Sequence, residues 1–181
     1  KEIAKSASTP SKAISIDEVE IQNFTRFSTK DSELDLVLGG GVVEGSLVLI
    51  GGSPGIGKST LLLKIGSNLA KDGKKTLYVS GEESQSQIKM RADRLNAVDK
   101  NLYLLTEICL EDILLEVQKS DYKVLVIDSI QTLYSQNVSS APGSITQVRE
   151  ITFELMRLAK SQNICVFIIG HITKEGSIAG P

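Results

Sequence analysis

The sequence predicts an α/β fold in which a mainly parallel sheet carries helices on both of its faces. Short apolar runs, which are typical of strands buried on both sides, alternate along the chain with amphipathic helical patterns. One of these runs ends in a glycine-rich segment that leads directly into a helical pattern. In open parallel sheets the strand ends meet at the carboxyl edge, and ligands bind at that edge.

The individual elements follow from the spacing of the apolar residues. Five strands are predicted over residues 47–50, 76–79, 102–105, 124–127 and 164–169. Four helices are predicted over residues 59–71, 84–95, 110–117 and 145–159. Residues 14–21 alternate only weakly, which favours an edge strand or a short extended arm. The polar residues 135–144 are interpreted as a loop.

The chain is predicted to comprise a lead-in and a single domain. Its 181 residues correspond to about one domain of ordinary size. Residues 1–23 begin with a stretch rich in Lys, Ser, Ala and Thr that has no periodicity, and we interpret them as a flexible lead-in or linker. The domain is predicted to extend over residues 24–181.

The composition excludes several classes of protein. Hydrophobic residues make up 41% of the chain and charged residues 23%, which is typical of a protein with a packed core. No apolar run approaches the ~20 residues that span a bilayer, and residues 1–9 lack the apolar stretch of a signal peptide. Cys109 and Cys165 are too few for a disulfide framework or a four-thiolate zinc site. We therefore expect a cytoplasmic protein that has no membrane partner.

The charge balance limits any contact with nucleic acid. The chain has 20 Lys and Arg residues against 22 Asp and Glu residues, so that its net charge is −2. A protein with this balance has no global field that attracts a polyanion. Contact with a nucleic acid would have to come from a local patch.

The strongest motif is a phosphate-binding loop. The pattern G-x-x-x-x-G-K-[ST] is satisfied at every fixed position by Gly52, Ser53, Pro54, Gly55, Ile56, Gly57, Lys58 and Ser59. The glycines allow successive N–H groups to point at phosphate oxygens, and the following helix presents its N-terminus to the same anion. Lys58 is predicted to contact the β- and γ-phosphates, and the Ser59 hydroxyl to bind Mg²⁺. We expect these residues, together with Thr60, to bind ATP.

A second candidate ligand for Mg²⁺ is Asp128, which directly follows the apolar run over residues 124–127. An Asp after a buried strand more often starts a loop or caps a helix. Because a phosphate loop precedes it, the interpretation as a metal ligand at the carboxyl edge is favoured here. Ser129 could hydrogen-bond within the same site.

Two adjacent carboxylates, Glu82 and Glu83, follow the strand over residues 76–79. A carboxylate at this position can orient the water that attacks the γ-phosphorus. Alternatively, the pair caps the helix that begins near Ser84, because acidic residues are favourable in a first turn. We predict that Glu82 is the catalytic base, and Glu83 remains the alternative.

His171 is the only histidine, and it also follows a predicted strand. A single histidine at such a position is often structural. Its place at the carboxyl edge favours contact with the γ-phosphate of bound nucleotide. Metal binding by His171 is not expected, since the sequence offers no second histidine.

Several longer segments resemble the RecA-like ATPases, a group of P-loop NTPases, and in particular their bacterial DNA-repair members. The resemblance covers residues 24–181. It is carried by the phosphate loop and by Leu38-Gly39-Gly40-Gly41, Gly81-Glu82-Glu83-Ser84, Asp128-Ser129-Ile130-Gln131-Thr132, Ser140-Ala141-Pro142-Gly143-Ser144 and Gly170-His171-Ile172-Thr173-Lys174.

The resemblance implies a homo-hexameric ring ATPase that is related to replicative helicases. Such an ATPase moves on single-stranded DNA and promotes branch migration together with the RecA recombinase. By the same resemblance, residues 135–144 and the segment with Thr173 and Lys174 would face DNA. Arg149 is a weaker DNA candidate, for which a solvated helix position is favoured. Arg91 and Arg94 could reach a neighbouring subunit's nucleotide, although solvation or ion pairing on their own helix is favoured.

The resemblance also implies parts that lie outside these residues. A four-cysteine zinc module would precede residue 1, and the rest of the core and a Lon-protease-like domain would follow residue 181. We therefore expect a truncated core with weak or no ATPase activity alone. An alternative function is an ATP-gated assembly or signalling protein like the circadian-clock ATPases, which have a similar Glu-Glu pair. A small-molecule phosphotransferase is disfavoured, because no arginine-rich lid segment is present.

Overall fold

A computed structural model describes residues 13–18 and 26–171 of the chain. Its centre is a five-stranded parallel sheet. The strands are β3 (Leu47–Gly52), β4 (Thr76–Ser80), β5 (Leu102–Leu105), β6 (Val124–Asp128) and β7 (Cys165–His171), in the order β3-β7-β6-β4-β5. A small antiparallel pair, β1 (Arg26–Phe27) with β2 (Val42–Val43), lies outside this sheet.

Helices cover both faces of the sheet, as the sequence predicts. They are α1 (Ser32–Val37), α2 (Lys58–Lys71), α3 (Gln85–Arg94), α4 (Leu110–Gln118) and α5 (Ile145–Gln162). Apolar residues of α4 and α5 pack in one core cluster with residues from β4, β6 and β7. Apolar residues of α2 and α3 pack in a second cluster on the opposite face of the same strands.

The burial of the central strands explains why their sequences contain unbroken runs of apolar residues. Every residue of β4 and β6 is buried, and β7 is buried up to its last residue. Strands that pack helices on both faces need apolar side chains at consecutive positions. The predicted α/β class, a P-loop NTPase fold with a parallel sheet, is therefore confirmed.

The register of the sheet brings several strand ends to one edge. Gly52 at the end of β3 is opposite His171 of β7, and Ser80 at the end of β4 is opposite Asp128 of β6. Since β7 lies between β3 and β6, the phosphate-loop strand and the Asp128 strand are separated by one strand. The predicted site residues therefore lie at the ends of these strands, along one edge of the sheet.

The predicted element bounds differ from the structure at several ends. Within residues 14–21, Ile16–Glu18 forms a 3₁₀ turn, so the predicted edge strand is wrong there, and residues 19–25 lie outside the described residues. Helix α5 continues to Gln162 and ends at Asn163, whose φ of 53° is left-handed. Its last turn is polar and therefore carries no periodic signal.

The segment between β1 and β3 contains structure that the apolar spacing does not predict. Helix α1 begins after Asp31, whose side chain accepts a hydrogen bond from the Leu34 N–H at 3.0 Å. A helix of six residues is too short for an apolar period to be recognised. Of the predicted lead-in, residues 1–12 and 19–23 lie outside the described residues.

Among the helices in the described ranges, none combines the length and apolar character that crossing a bilayer requires. The longest, α5, has 18 residues. It carries charged residues along much of its exposed side, among them Arg149 and Glu150.

The packing of α2 leads to a prediction about stability. Leu69→Ala removes a side chain that is 0% exposed, and we expect the free energy of unfolding to fall by about 2–5 kcal/mol. Leu115 on α4 is 56% exposed, so the matched variant Leu115→Ala should change stability by less than about 0.5 kcal/mol. Urea denaturation of both variants at one pH measures the difference. Equal losses in the two variants would contradict this assignment of the core.

Candidate active site

The phosphate loop, residues 52–59, connects β3 directly to α2. Gly55 and Gly57 have φ values of 81° and 98°, a region in which side chains with a Cβ are strained. A Cβ at Gly52 would lie 2.5 Å from Cδ1 of Ile56, so that a larger residue there would displace this exposed side chain. The loop residues from Ser53 to Gly57 are exposed, so that the N-terminus of α2 is accessible to an anion.

Lys58 is the first residue of α2 and is only 7% exposed. Its Nζ donates to the carbonyl oxygens of Gly52 at 2.7 Å and Ser53 at 2.8 Å. An ammonium group has three N–H donors, so the third is left to reach a phosphate oxygen. The two loop carbonyls therefore hold the positive charge of Lys58 at the phosphate loop.

Asp128 is connected to the phosphate loop through Tyr78, which lies on β4. The Tyr78 hydroxyl donates to Oδ2 of Asp128 at 2.5 Å and lies 3.4 Å from the main-chain oxygen of Ser59. Burial, followed by the charge of Asp128, raises the pKa of Tyr78 far above its ordinary value. Tyr78 is therefore a neutral donor that orients a carboxylate only 6% exposed.

The donor set at this edge fits a magnesium ion. Asp128 supplies a carboxylate and Ser59 a hydroxyl, which are the hard oxygen ligands that Mg²⁺ prefers. The described residues contain no group of three or more His, Cys, Asp and Glu side chains that could enclose a metal.

Glu82 lies at the same edge and is held by two neighbours. Its Oε1 accepts a hydrogen bond from the Ser129 hydroxyl at 3.0 Å and lies 3.4 Å from Nε2 of His171. The side chain is 50% exposed. The structure thus brings Glu82 and His171 together and places the end of β6 beside them. The peptide bond between Asp128 and Ser129, at this end of β6, is cis.

Glu83 has a different partner from Glu82. Its Oε1 accepts from Nη1 of Arg91 at 2.8 Å, and Nη2 of Arg91 lies 3.4 Å from the Tyr78 hydroxyl. The Arg91 side chain is only 14% exposed, so that this ion pair is partly shielded from solvent. Arg91 was expected to be solvated or ion-paired on its own helix, whereas its observed partner Glu83 lies in the turn just before that helix. The helix residue Arg94 is exposed.

The turn that carries both glutamates is fixed by its own short residues. The buried Ser80 hydroxyl accepts from the N–H groups of Glu83 at 3.1 Å and Glu82 at 3.4 Å. A Cβ at Gly81 would lie 2.4 Å from Oγ1 of Thr132, so that only glycine allows this approach to the segment after β6. The two carboxylates consequently leave the strand on different sides of one tight turn.

The loop over residues 135–144 is anchored at its start by Glu111, a residue of α4. The Glu111 carboxylate accepts from the Ser135 hydroxyl at 2.6 Å, the Asn137 side chain at 3.1 Å and the Gln136 N–H at 3.2 Å. Burial would raise the pKa of Glu111, but the hydrogen bonds from Ser135 and Gln136, with smaller contributions from its own N–H and Cys109, lower it below the ordinary value. The start of the loop is therefore held in one conformation.

The remainder of this loop is anchored by Gln147 on α5, which is 1% exposed. Its Nε2 lies 3.0 Å from the carbonyl oxygens of Val138 and Ser140 and 3.2 Å from that of Ser135. A buried amide that satisfies several loop carbonyls removes the cost of their desolvation. The sequence patterns did not indicate Gln147, Glu111 or Tyr78, although a tyrosine inside a fully buried strand requires a hydroxyl partner.

The other predicted residues fall into three groups. Cys109 and Cys165 are both free and buried, as expected, and burial raises the pKa of Cys165 to about 12. Arg149 is exposed on α5, which agrees with the favoured solvated position. Thr173 and Lys174 lie outside the described residues.

This combination of fold and site identifies the class of protein. The sequence profile of the AAA domain family matches residues 15–177, and the chain therefore belongs to this family. A P-loop domain of this kind binds a nucleotide at the loop that connects β3 to α2.

Similarity to individual proteins is more informative than the family match. The chain is 71% identical over all of its 181 residues to the DNA repair protein RadA of Campylobacter jejuni, of which it covers 41%. Over 170 residues, 94% of the chain, it is 64% identical to RadA of Helicobacter pylori J99 and 53% identical to RadA of Streptococcus pneumoniae. It covers 38% and 40% of these two proteins. The chain thus spans about two fifths of the length of these curated relatives, and the predicted resemblance is confirmed.

The anchor of the loop leads to a prediction about pH. Glu111→Gln should lower the free energy of unfolding by about 1 kcal/mol at pH 7, because the loop loses a charged acceptor. A lowered folded-state pKa stabilises the fold above the unfolded-state value of about 4.3, and this contribution is lost as the pH falls through the folded-state pKa. The difference between parent and variant should therefore shrink below about pH 4.

Urea denaturation at a series of pH values measures this difference. Glu150→Gln, at an exposed position of α5, is the matched control, and its effect should be small at every pH. A difference for Glu111→Gln that grows toward low pH would mean that the carboxylate is not stabilised by the loop.

Proposed function

We propose that this chain is the Mg²⁺-dependent ATP-hydrolysing core of a DNA-repair motor. The observation that carries the proposal is 71% identity, over the entire chain, to a protein named for DNA repair. The placement of Lys58, Asp128 and Glu82 around one sheet edge supports it, since hydrolysis needs a phosphate contact, a metal ligand and a base.

ATP binding is assigned to the phosphate loop. The N–H groups of residues 52–59 and the N-terminus of α2 would surround the phosphates. Two N–H groups of the Lys58 ammonium donate to the loop carbonyls. The third would reach the β- and γ-phosphates. Because the two carbonyls already orient the ammonium group, little side-chain entropy is lost when it binds a phosphate.

The metal site is assigned to the Ser59 hydroxyl and Asp128. When bound there, Mg²⁺ would neutralise charge on the β- and γ-phosphates. Tyr78 holds Oδ2 of Asp128 through its hydrogen bond, which leaves the other carboxylate oxygen to face the ion directly or through water.

The attacking water is assigned to Glu82 rather than to Glu83. Within the described residues Ser129 and His171 both contact Oε1 of Glu82, so Oε2 is the oxygen that would accept the proton of the water. Oε1 of Glu83 is occupied by Arg91 at 2.8 Å, which leaves this carboxylate less available to a water molecule. His171 would contact the γ-phosphate and so couple its presence to the residues that follow β7.

The finer part of the proposal is movement on single-stranded DNA and branch migration with the RecA recombinase, by a homo-hexamer. The resemblance to RecA-like ATPases supports it, while the name of the relatives supports only the broader role in DNA repair. With a net charge of −2, contact with DNA would involve a few residues of the loop over 135–144 and the segment that contains Thr173 and Lys174.

The assignment of the base is tested with Glu82→Gln. This variant should bind ATP as the parent does and should lower the rate of hydrolysis by about 10²–10⁴-fold, since the amide cannot accept the proton. Lys58→Ala should lose ATP binding itself. Equilibrium titration measures binding, and single-turnover hydrolysis of labelled ATP by excess protein measures the chemical step even where turnover is slow.

The controls for this test are two further Glu→Gln variants. Glu150→Gln, far from the phosphate loop on α5, should leave both measurements unchanged. If Glu83→Gln stops hydrolysis while Glu82→Gln does not, the order of the two carboxylates is wrong. Tight ATP binding and full turnover in Lys58→Ala would overturn the assignment of the site.

The DNA part is tested by adding single-stranded DNA to the hydrolysis assay, in this chain and in a chain of the relatives' length. We expect stimulation in the longer chain. If about three phosphates are contacted, the logarithm of the binding constant should fall with the logarithm of salt concentration with a slope of about −2. DNA that neither binds nor changes the rate would contradict the motor and favour an ATP-gated assembly protein.

A further inference from the structure

The end of β7 extends beyond its neighbour β6. The pairing of β6 with β7 ends at Ile127 opposite Ile168, whereas the pairing of β3 with β7 continues to Gly52 opposite His171. The last three residues of β7 therefore have a strand partner on the β3 side and none from β6.

The side chain of Gln131 supplies the missing partner at His171. Oε1 of Gln131 accepts from the N–H of His171 at 3.3 Å, and Nε2 of Gln131 donates to the carbonyl oxygen of His171 at 3.3 Å. A primary amide has the same donor and acceptor as a peptide group. Gln131 thus pairs with the main chain of His171 as a neighbouring strand would.

The residue held in this way carries the ring that contacts Glu82. Nε2 of His171 lies 3.4 Å from Oε1 of Glu82, while its Nδ1 is buried and has no hydrogen-bond partner within the described residues. Since the other ring nitrogen provides no second anchor, the position of the ring depends on where the main chain of His171 is held.

Gln131 also lies against the end of the loop over residues 135–144. Gly143 has a φ of 77°, and a Cβ there would lie 3.2 Å from the carbonyl oxygen of Gln131. The main chain of Gln131 therefore contacts this loop, while its side chain contacts β7. One residue of the 3₁₀ turn Ile130–Thr132 thus contacts both the last residue of β7 and the end of the loop over residues 135–144.

We propose that Gln131 is a positioning residue, whose amide holds the end of β7 so that the His171 ring stays at Glu82. The consequence for ATP hydrolysis rests on the proposed function, whereas the positioning itself does not. In Gln131→Met the side chain keeps its length and loses its two hydrogen bonds to the main chain of His171. The end of β7 should then shift, and the ring should lose its contact with Glu82.

The positioning is tested by nuclear magnetic resonance of the His171 ring. His171 is the only histidine of the chain, so the imidazole C–H signals of a ¹³C-labelled chain without a histidine tag belong to it alone. In the parent, Glu82→Gln should shift these signals, because the substituted atoms lie 3.4 Å from the ring. In the Gln131→Met background the same substitution should produce about half of this shift or less.

The matched control is Gln136→Met, in the same connection between β6 and α5. The Gln136 side chain donates to Sγ of Cys109 at 3.2 Å rather than to β7, so the response to Glu82→Gln should remain that of the parent. Gln131→Ala provides a second test of the same residue, and amide spectra verify that each variant is folded. An equal response in the parent and Gln131→Met backgrounds overturns the proposal.

Hydrolysis gives a second and separable readout. Gln131→Met should lower single-turnover hydrolysis by about tenfold, a larger effect than any change in ATP affinity, because the displaced ring leaves Glu82 while Lys58 keeps its contacts. If Glu82→Gln leaves hydrolysis unchanged, the proposed base is wrong, yet the ring signals still decide the role of Gln131. Reduced ATP affinity in Gln131→Met with unchanged ring signals would show a structural role only.

Discussion

The position of β7 between β3 and β6 is the constraint on which the rest of the site depends. Its register with β3 places His171 beside the first glycine of the phosphate loop. Its pairing with β6 sets the same strand next to the one that ends at Asp128. Because parallel strands share one direction, the phosphate loop, Asp128 and His171 meet at a single edge without any long loop.

Two hydrogen-bond networks divide the functional residues at this edge. One runs from Asp128 through Tyr78 to Arg91 and Glu83, and its members are largely buried. In this network each charge faces an opposite charge or a donor, as buried ionic groups require. The network therefore orients the Asp128 carboxylate and at the same time occupies Glu83.

The second network is more exposed and joins Glu82 to Ser129 and His171. Its members come from three different strand ends, so that it responds to any relative movement of those ends. Gln131 extends it to the turn after β6 and to the loop beyond. The network around Asp128 is thus shielded from solvent, whereas Glu82, whose side chain is 50% exposed, is accessible to water.

The sequence by itself determined the α/β class, the parallel strands and the phosphate loop, because each depends on local spacing or on a contiguous motif. It also indicated Asp128, Glu82, Glu83 and His171 as a set, since all of them follow strands. Only the tertiary structure decided that Glu83 pairs with Arg91 while Glu82 meets Ser129 and His171. The roles of Tyr78 and Gln131 were likewise decided there. These contacts join residues far apart in the chain, and their partners are set by sheet order and register, which no local pattern encodes.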